Sequence, residues 1–173
     1  MSTALMYSFA QRSDTRVLDE PLYGHFLRHT GAQRPCREAT LSARPCTVEG
    51  VLDFMRPTKE EQSEGQTLFC KHMANHIHGI PWTAFKGHRH VILFRNPAAV
   101  MSSYSAHIES PSMLDLGYAS QLELLQSLDA AGTPPVVVCS DKLQASPEHI
   151  LEALCSTLGL PWEPGMMAWE PGA

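Results

Sequence analysis

The chain has 173 residues, 43% hydrophobic and 18% charged, and its 13 Lys and Arg against 18 Asp and Glu leave a net charge of −5. That balance argues against a nucleic-acid partner held by phosphate contacts. The apolar content supports one soluble globular domain with a real core, and no window offers the roughly 20 uninterrupted apolar residues of a membrane-spanning helix.

From Ser2 to Arg12 the apolar residues Leu5, Met6 and Phe9 recur at helical spacing, with Ser2 or Thr3 available as the N-cap. Arg12 and Asp14 follow at once on this short apolar stretch, which lacks the order of a secretory signal. Arg16-Val17-Leu18 is a short strand whose end carries Asp19 and Glu20, and Pro21 is placed to start a helix through Tyr23, Phe26 and Leu27 to Gly31. Residues 32–66, with Pro35, Pro45, Gly50, Pro57 and Gly65, are expected to be mostly loop with one short helix.

Leu68-Phe69-Cys70 is a second strand running into Lys71-His72. Val91-Ile92-Leu93-Phe94 is a third, wholly apolar and so expected at the centre of a covered sheet. Arg95 follows it, then Asn96 as cap and Pro97 as first residue of a helix past Val100, Met101 and Tyr104. A helix near Ala119 to Ala131 should bury Leu122, Leu125 and Leu128 on one face. Val136 to Cys139 is a fourth strand, ending at Ser140 and Asp141. The last helix has Ser146 as cap, Pro147 at its first position, a stripe of Ile150, Leu151, Leu154, Cys155 and Leu158, and Gly159 and Pro161 as its stop. Strands alternating with helices predict an α/β fold with a parallel sheet.

In such sheets ligands gather outside the carboxyl ends of strands, where helix N-termini favour anions. Those ends carry Asp19 and Glu20, Lys71 and His72, Arg95 and Asn96, and Ser140 and Asp141. Any single pair also fits a solvated loop or a helix cap. The common position of all four is the stronger signal.

Nine histidines raise a metal site, with His72 and His76 at i, i+4. No His-Glu-x-x-His motif occurs and Gly79 and Pro81 interrupt a helix there, so no metal is expected. The five cysteines, Cys36, Cys46, Cys70, Cys139 and Cys155, form no CxxC pair and suit reduced thiols in a cytoplasm. A nucleotide kinase would need Gly-Lys before Ser or Thr, and the chain has no Gly-Lys dipeptide.

The order Ser-Thr-Ala-Leu-Met, Asp-Glu-Pro-Leu-Tyr, Lys-His-Met, Arg-Asn-Pro and a closing Leu-Gly-Leu-Pro resembles the sulfotransferase-like P-loop proteins over nearly the whole chain. It is most similar to a bacterial and plant branch sometimes labelled aminotransferase-like. The resemblance implies a single sulfotransferase-like domain over 1–173 with a P-loop parallel sheet. It also implies transfer of a sulfuryl group from 3′-phosphoadenosine 5′-phosphosulfate to a hydroxyl or amine of a small-molecule acceptor. Ser2 and Thr3 would be the tail of the loop that holds the 5′-phosphosulfate, and Arg95 with Ser103, eight residues later, would hold the 3′-phosphate. Lys71 would be the cation near the leaving oxygen. Either Glu20 or His72 would be the base, with Glu20 put first because Lys71-His72 lacks the middle residue of the family's Lys-Thr-His pattern. For Glu20 alone, an ordinary charge at the first turn of the next helix explains its place nearly as well.

Relatives carry a strand and a Gly-Pro-Arg-Asn turn before the Ser-Thr step, and a segment beyond the last helix that helps to close over the nucleotide. The domain is therefore expected to be incomplete at both ends and to lack its first strand. The alternative is a non-catalytic phosphonucleotide-binding module or an inactive truncated family member.

Overall fold

A computed structural model describes residues 1–63, 65–106 and 110–170. Their contacts divide the chain into two compact units, one of Met1–Ala84 with 168–170 and one of Phe85–Met167.

The first unit opens on helix α1 (Ser2–Ala10), whose Leu5, Met6 and Phe9 are buried as the spacing predicts. Met1 occupies the N-cap position and no side chain caps the helix, so Ser2 and Thr3 lie inside the first turn. Phe9 is only 1% exposed and stacks on Phe69 at 4.5 Å, fixing α1 against the strand that carries Phe69. Strands β1 (Thr15–Asp19) and β2 (Thr67–Lys71) pair in parallel, from Thr15 opposite Thr67 to Asp19 opposite Lys71. Buried Arg12 braces the start of this ladder, its guanidinium donating to both oxygens of Asp14 at 3.0 and 2.7 Å. That bond is the main reason the Asp14 carboxyl sits below its ordinary value.

Helix α2 (Tyr23–Thr30) begins two residues later than Pro21. Glu20 adopts a left-handed φ of 47°, and its carbonyl accepts from Tyr23 N–H at 3.0 Å, so the chain makes a turn before it can coil. Gly31, at φ 69°, ends the helix in the left-handed position that glycine occupies without steric cost.

The stretch expected to be mostly loop contains three helices, α3 (Arg37–Ala43), α4 (Val48–Phe54) and α5 (Lys59–Ser63). Two of them carry local start signals. Thr47 caps α4 by accepting from Gly50 N–H at 3.1 Å, and Thr58 and Glu61 bond reciprocally as a capping box at the start of α5. Weak apolar periodicity hid them because Val51 is the one residue of α4 that is buried and α3 has none.

In the second unit, β3 (Val91–Phe94) and β4 (Val136–Cys139) form a further parallel pair. The parallel strands with helical cover are those expected, arranged as two two-stranded sheets. The place of β3 differs: β4 is its one partner among the described residues, Ile92 is its one buried residue, and Phe94 is 41% exposed. Asn96 caps α6 (Pro97–Ser105) by accepting from Ala98 N–H at 2.9 Å, as the sequence predicts.

In α7 (Tyr118–Ala130) Leu128 is buried but Leu122 is 56% exposed. Steps of three residues drift around a 3.6-residue turn, so Leu122 and Leu128 stand about 120° apart and cannot share a narrow face. Helix α8 (Ser140–Ala145) follows β4 directly. Helix α9 (Pro147–Leu158) buries Leu151, Leu154 and Cys155 and stops at left-handed Gly159, although the Ser146 side chain makes no capping bond. Arg89 donates to the carbonyl of Leu158, a cation at a helix C-terminus.

Removal of the Phe9 ring leaves a void between α1 and β2, and Phe9→Ala is expected to cost about 3 to 5 kcal/mol, read as a fall in urea midpoint. Leu122→Ala, on the solvent side of α7, should stay within about 0.5 kcal/mol of the parent.

Candidate functional site

The last rung of the β1–β2 ladder sets Asp19 beside Lys71, and one further backbone bond, Glu20 N–H to the Lys71 carbonyl at 2.9 Å, brings Glu20 to the same place. The Lys71 ammonium donates to Asp19 Oδ1 at 2.9 Å and to Glu20 Oε1. Lys71 is 9% exposed at its side chain, whereas Asp19 is 52% and Glu20 27% exposed, so the cation is buried and the anions face outward. Burial works against the charge on Lys71. Its hydrogen bonds to Glu20 and Asp19, with their charges, outweigh that and raise it above the ordinary lysine value.

A polar recess of about 220 Å³ opens over these carboxylates, lined by Asp19, Glu20, Tyr23, Thr40 and Arg44. Tyr23 comes from the first turn of α2, and Thr40 and Arg44 come from α3 and its end. The sequence had no signal for the last two, since they reach the recess only because α3 packs beside α2.

His76 lies in a 3-10 turn over Ala74–Ile77, which removes the α-helical face that i, i+4 spacing to His72 supposes. Its ring stacks on Phe26 at 4.6 Å and on Tyr23 at 5.1 Å. Nδ1 faces Glu20 Oε2 at 3.9 Å. Burial first, then the nearby charges of His72, Lys71 and Arg34, push the imidazole down to about 3, so it is neutral at physiological pH. His72 is half-buried near this group.

Arg95 and Ser103 belong to the second unit. Tyr118 O–H donates to the Arg95 carbonyl at 2.6 Å and Gln121 donates to that of Leu93 at 3.2 Å, so α7 pins the end of β3. The half-buried Arg95 side chain makes no ion pair among the described residues, and its buried Nε has no hydrogen-bond partner there. Ser103 sits on α6, exposed, six residues beyond Pro97 and so roughly 9 Å along the axis. Ser2 is half-buried and Thr3 exposed in the first turn of α1. The structure therefore joins Glu20 and Lys71 directly, adds Asp19 and His76 to them, and sets Arg95 and Ser103 on a strand end and the helix after it.

Among the described residues, no group of three or more His, Cys, Asp and Glu side chains is arranged to hold a metal, and no helix is long and apolar enough to cross a membrane. All five cysteines are free thiols.

Comparison of the whole chain with known proteins gives the class. Residues 1–173 match the family model described as Sulfotransferase domain. The chain belongs to that sulfotransferase family. It is 38% identical over 173 residues to branched-chain-amino-acid aminotransferase-like protein 1 of Arabidopsis thaliana, and 38% identical over 175 residues to the like-named protein 2 of the same plant. Each match covers 99% of this chain and 30% of the plant protein, so the chain spans about a third of the length of these relatives. No solved structure matches it.

The buried neutral imidazole fixes the sign of one pH effect. Below 6.5 the unfolded chain takes up a proton at His76 that the folded chain refuses until about 3. Stability is complete above that window and falls within it, by up to about 1.4 kcal/mol per pH unit. Urea melts between pH 7 and 4 should show a slope that is shallower in His76→Phe.

Proposed function

We propose that this chain is a sulfotransferase domain of the P-loop type that moves a sulfuryl group from 3′-phosphoadenosine 5′-phosphosulfate to a hydroxyl or amine of a small acceptor in the cytoplasm. The observation that carries this is the Glu20–Lys71 pair at the ends of parallel strands, open to a polar recess, in a chain of the sulfotransferase family. Five free thiols are in keeping with a reducing compartment.

In this proposal the acceptor sits in the recess and Glu20 takes its proton as the acceptor oxygen or nitrogen bonds to sulfur. Glu20 lines the recess, and Lys71 occupies its Oε1, which leaves Oε2 without an ammonium partner. Lys71 supplies positive charge beside the base, and the resemblance assigns it as the cation near the leaving oxygen, where negative charge develops. His72 remains the second candidate for the base.

The fit of the donor nucleotide rests on Arg95. A buried guanidinium nitrogen with no partner among the described residues, at the start of a nine-residue helix, suits a phosphate that accepts two parallel bonds. Asn96 already uses the Ala98 amide, so the guanidinium rather than the helix terminus would be the main phosphate ligand. Ser103 would reach the same group from further along α6. The resemblance separately gives Ser2 and Thr3, in the first unit, as hydroxyl donors to a phosphosulfate. The donor itself supplies an activated sulfate whose leaving group is a phosphate.

Two measurements test this. Titration with 3′-phosphoadenosine 5′-phosphate at 100 times its Kd should stabilise the parent by about 2.7 kcal/mol and leave Arg95→Ala unmoved. An unchanged shift in that variant removes Arg95 from the site. Labelled-donor transfer to a panel of hydroxyl and amine acceptors should fall about 10² to 10⁴-fold in Glu20→Gln with the nucleotide shift retained. Binding without transfer to any acceptor would instead make the chain a phosphonucleotide-binding module.

A further inference from the structure

The interaction that neither the sequence nor the family resemblance assigns is the one between His76 and Glu20. We propose that His76 is a positioning residue for Glu20, carrying its ring proton on Nδ1 and directing it at Oε2, so that the carboxylate is held between Lys71 and the imidazole. This rests on Glu20 being the base.

Three observations converge on it. His76 is 6% exposed at its side chain, and its Nδ1 is buried with no hydrogen-bond partner among the described residues. The nearest carboxylate oxygen, Glu20 Oε2, is 3.9 Å away, short of a hydrogen bond by about 1 Å. The ring is the fixed partner, clamped by Phe26 and Tyr23 at interplanar angles of 28° and 26°, with its backbone N–H held by the Met73 carbonyl at 2.9 Å. Glu20 is the movable partner, 27% exposed, and a small rotation of its carboxylate closes the gap.

The tautomer follows from electrostatics. A neutral imidazole carries one N–H, and a lone pair on Nδ1 would face the lone pairs of a carboxylate, whereas N–H there faces an acceptor. Lys71, His72 and Arg34 surround the same ring with positive or titratable charge and disfavour a second proton on it. The imidazole therefore keeps its single proton throughout and takes none from the acceptor. Its work is to fix the plane of the carboxylate, with Oε1 on Lys71 and one lone pair of Oε2 on His76. The other lone pair of Oε2 is left for the acceptor's proton. Leaving Nδ1 unpaired in this buried place would cost free energy, which gives the contact a driving force.

The test separates this from the function it rests on. In the chain labelled with 15N-histidine, a long-range 1H–15N spectrum at pH 7.5 should show His76 protonated at Nδ1 and bare at Nε2, its signal assigned by its loss in His76→Phe. Glu20→Ala should move the proton toward Nε2. A parent chain with the proton on Nε2 overturns the proposal whether or not the protein transfers sulfate. In the transfer assay, His76→Phe keeps the aromatic stack but loses the donor, and His76→Asn keeps a donor at the Nδ1 position but loses the stack. At least a tenfold drop in kcat in His76→Phe, with acceptor KM within twofold and recovery in His76→Asn, is expected. Full activity in His76→Phe with loss in His76→Asn would mark a packing role and overturn it. If Glu20→Gln transfers normally, the base assignment fails while the tautomer still decides the His76–Glu20 pairing.

Discussion

The pairing of Asp19 with Lys71 on the last rung of the β1–β2 ladder is the constraint from which the candidate site is built. Parallel strands in register end together, so a lysine that finishes one strand meets the carboxylates that finish the other. The chain then has to leave the sheet without carrying Glu20 away from the ammonium. It does so through the left-handed backbone of Glu20, a conformation that costs a non-glycine residue about 1 kcal/mol or more. The ion pair with Lys71 and the backbone bond to its carbonyl hold that turn in place. At the other end of the ladder, Arg12 and Asp14 perform the bracing, and the Asp14 carbonyl accepts from Thr67 N–H at 2.7 Å to start the register.

The cations of the two strand-end positions stand in contrasting electrostatic situations. Lys71 is buried and committed to two carboxylates, which outweigh the burial that works against its charge. Arg95 has no carboxylate among the described residues, and only the backbone at its position is tied down, by the Tyr118 hydroxyl. A paired lysine suits charge balance beside a base; an unpaired guanidinium suits an external anion.

His76 shows how a histidine found by spacing can have a different use from the one the spacing suggests. Four residues from His72, it looks like half of a metal pair on a helix. The 3-10 turn redirects it into a stack with Phe26 and Tyr23, and its Nδ1 comes to lie 3.9 Å from a carboxylate oxygen of the candidate base.

The sequence by itself determined the element types and the strand ends: the buried stripes of α1 and α9, the Asn96-Pro97 start of α6, and the four short apolar strands all follow from local periodicity and capping. It also determined the family, because ordered motifs along a whole chain survive without reference to coordinates. Helices α3 to α5 escaped because their start signals, Thr47 and the Thr58–Glu61 box, are local, and these short helices bury too little to show a period. Only the tertiary structure decided that Leu122 faces solvent, that β3 has one strand partner among the described residues, and that Thr40, Arg44 and His76 join Glu20. These are questions of which surfaces meet. A side chain's neighbours across 50 residues of sequence are set by register and packing, which periodicity along the chain does not encode.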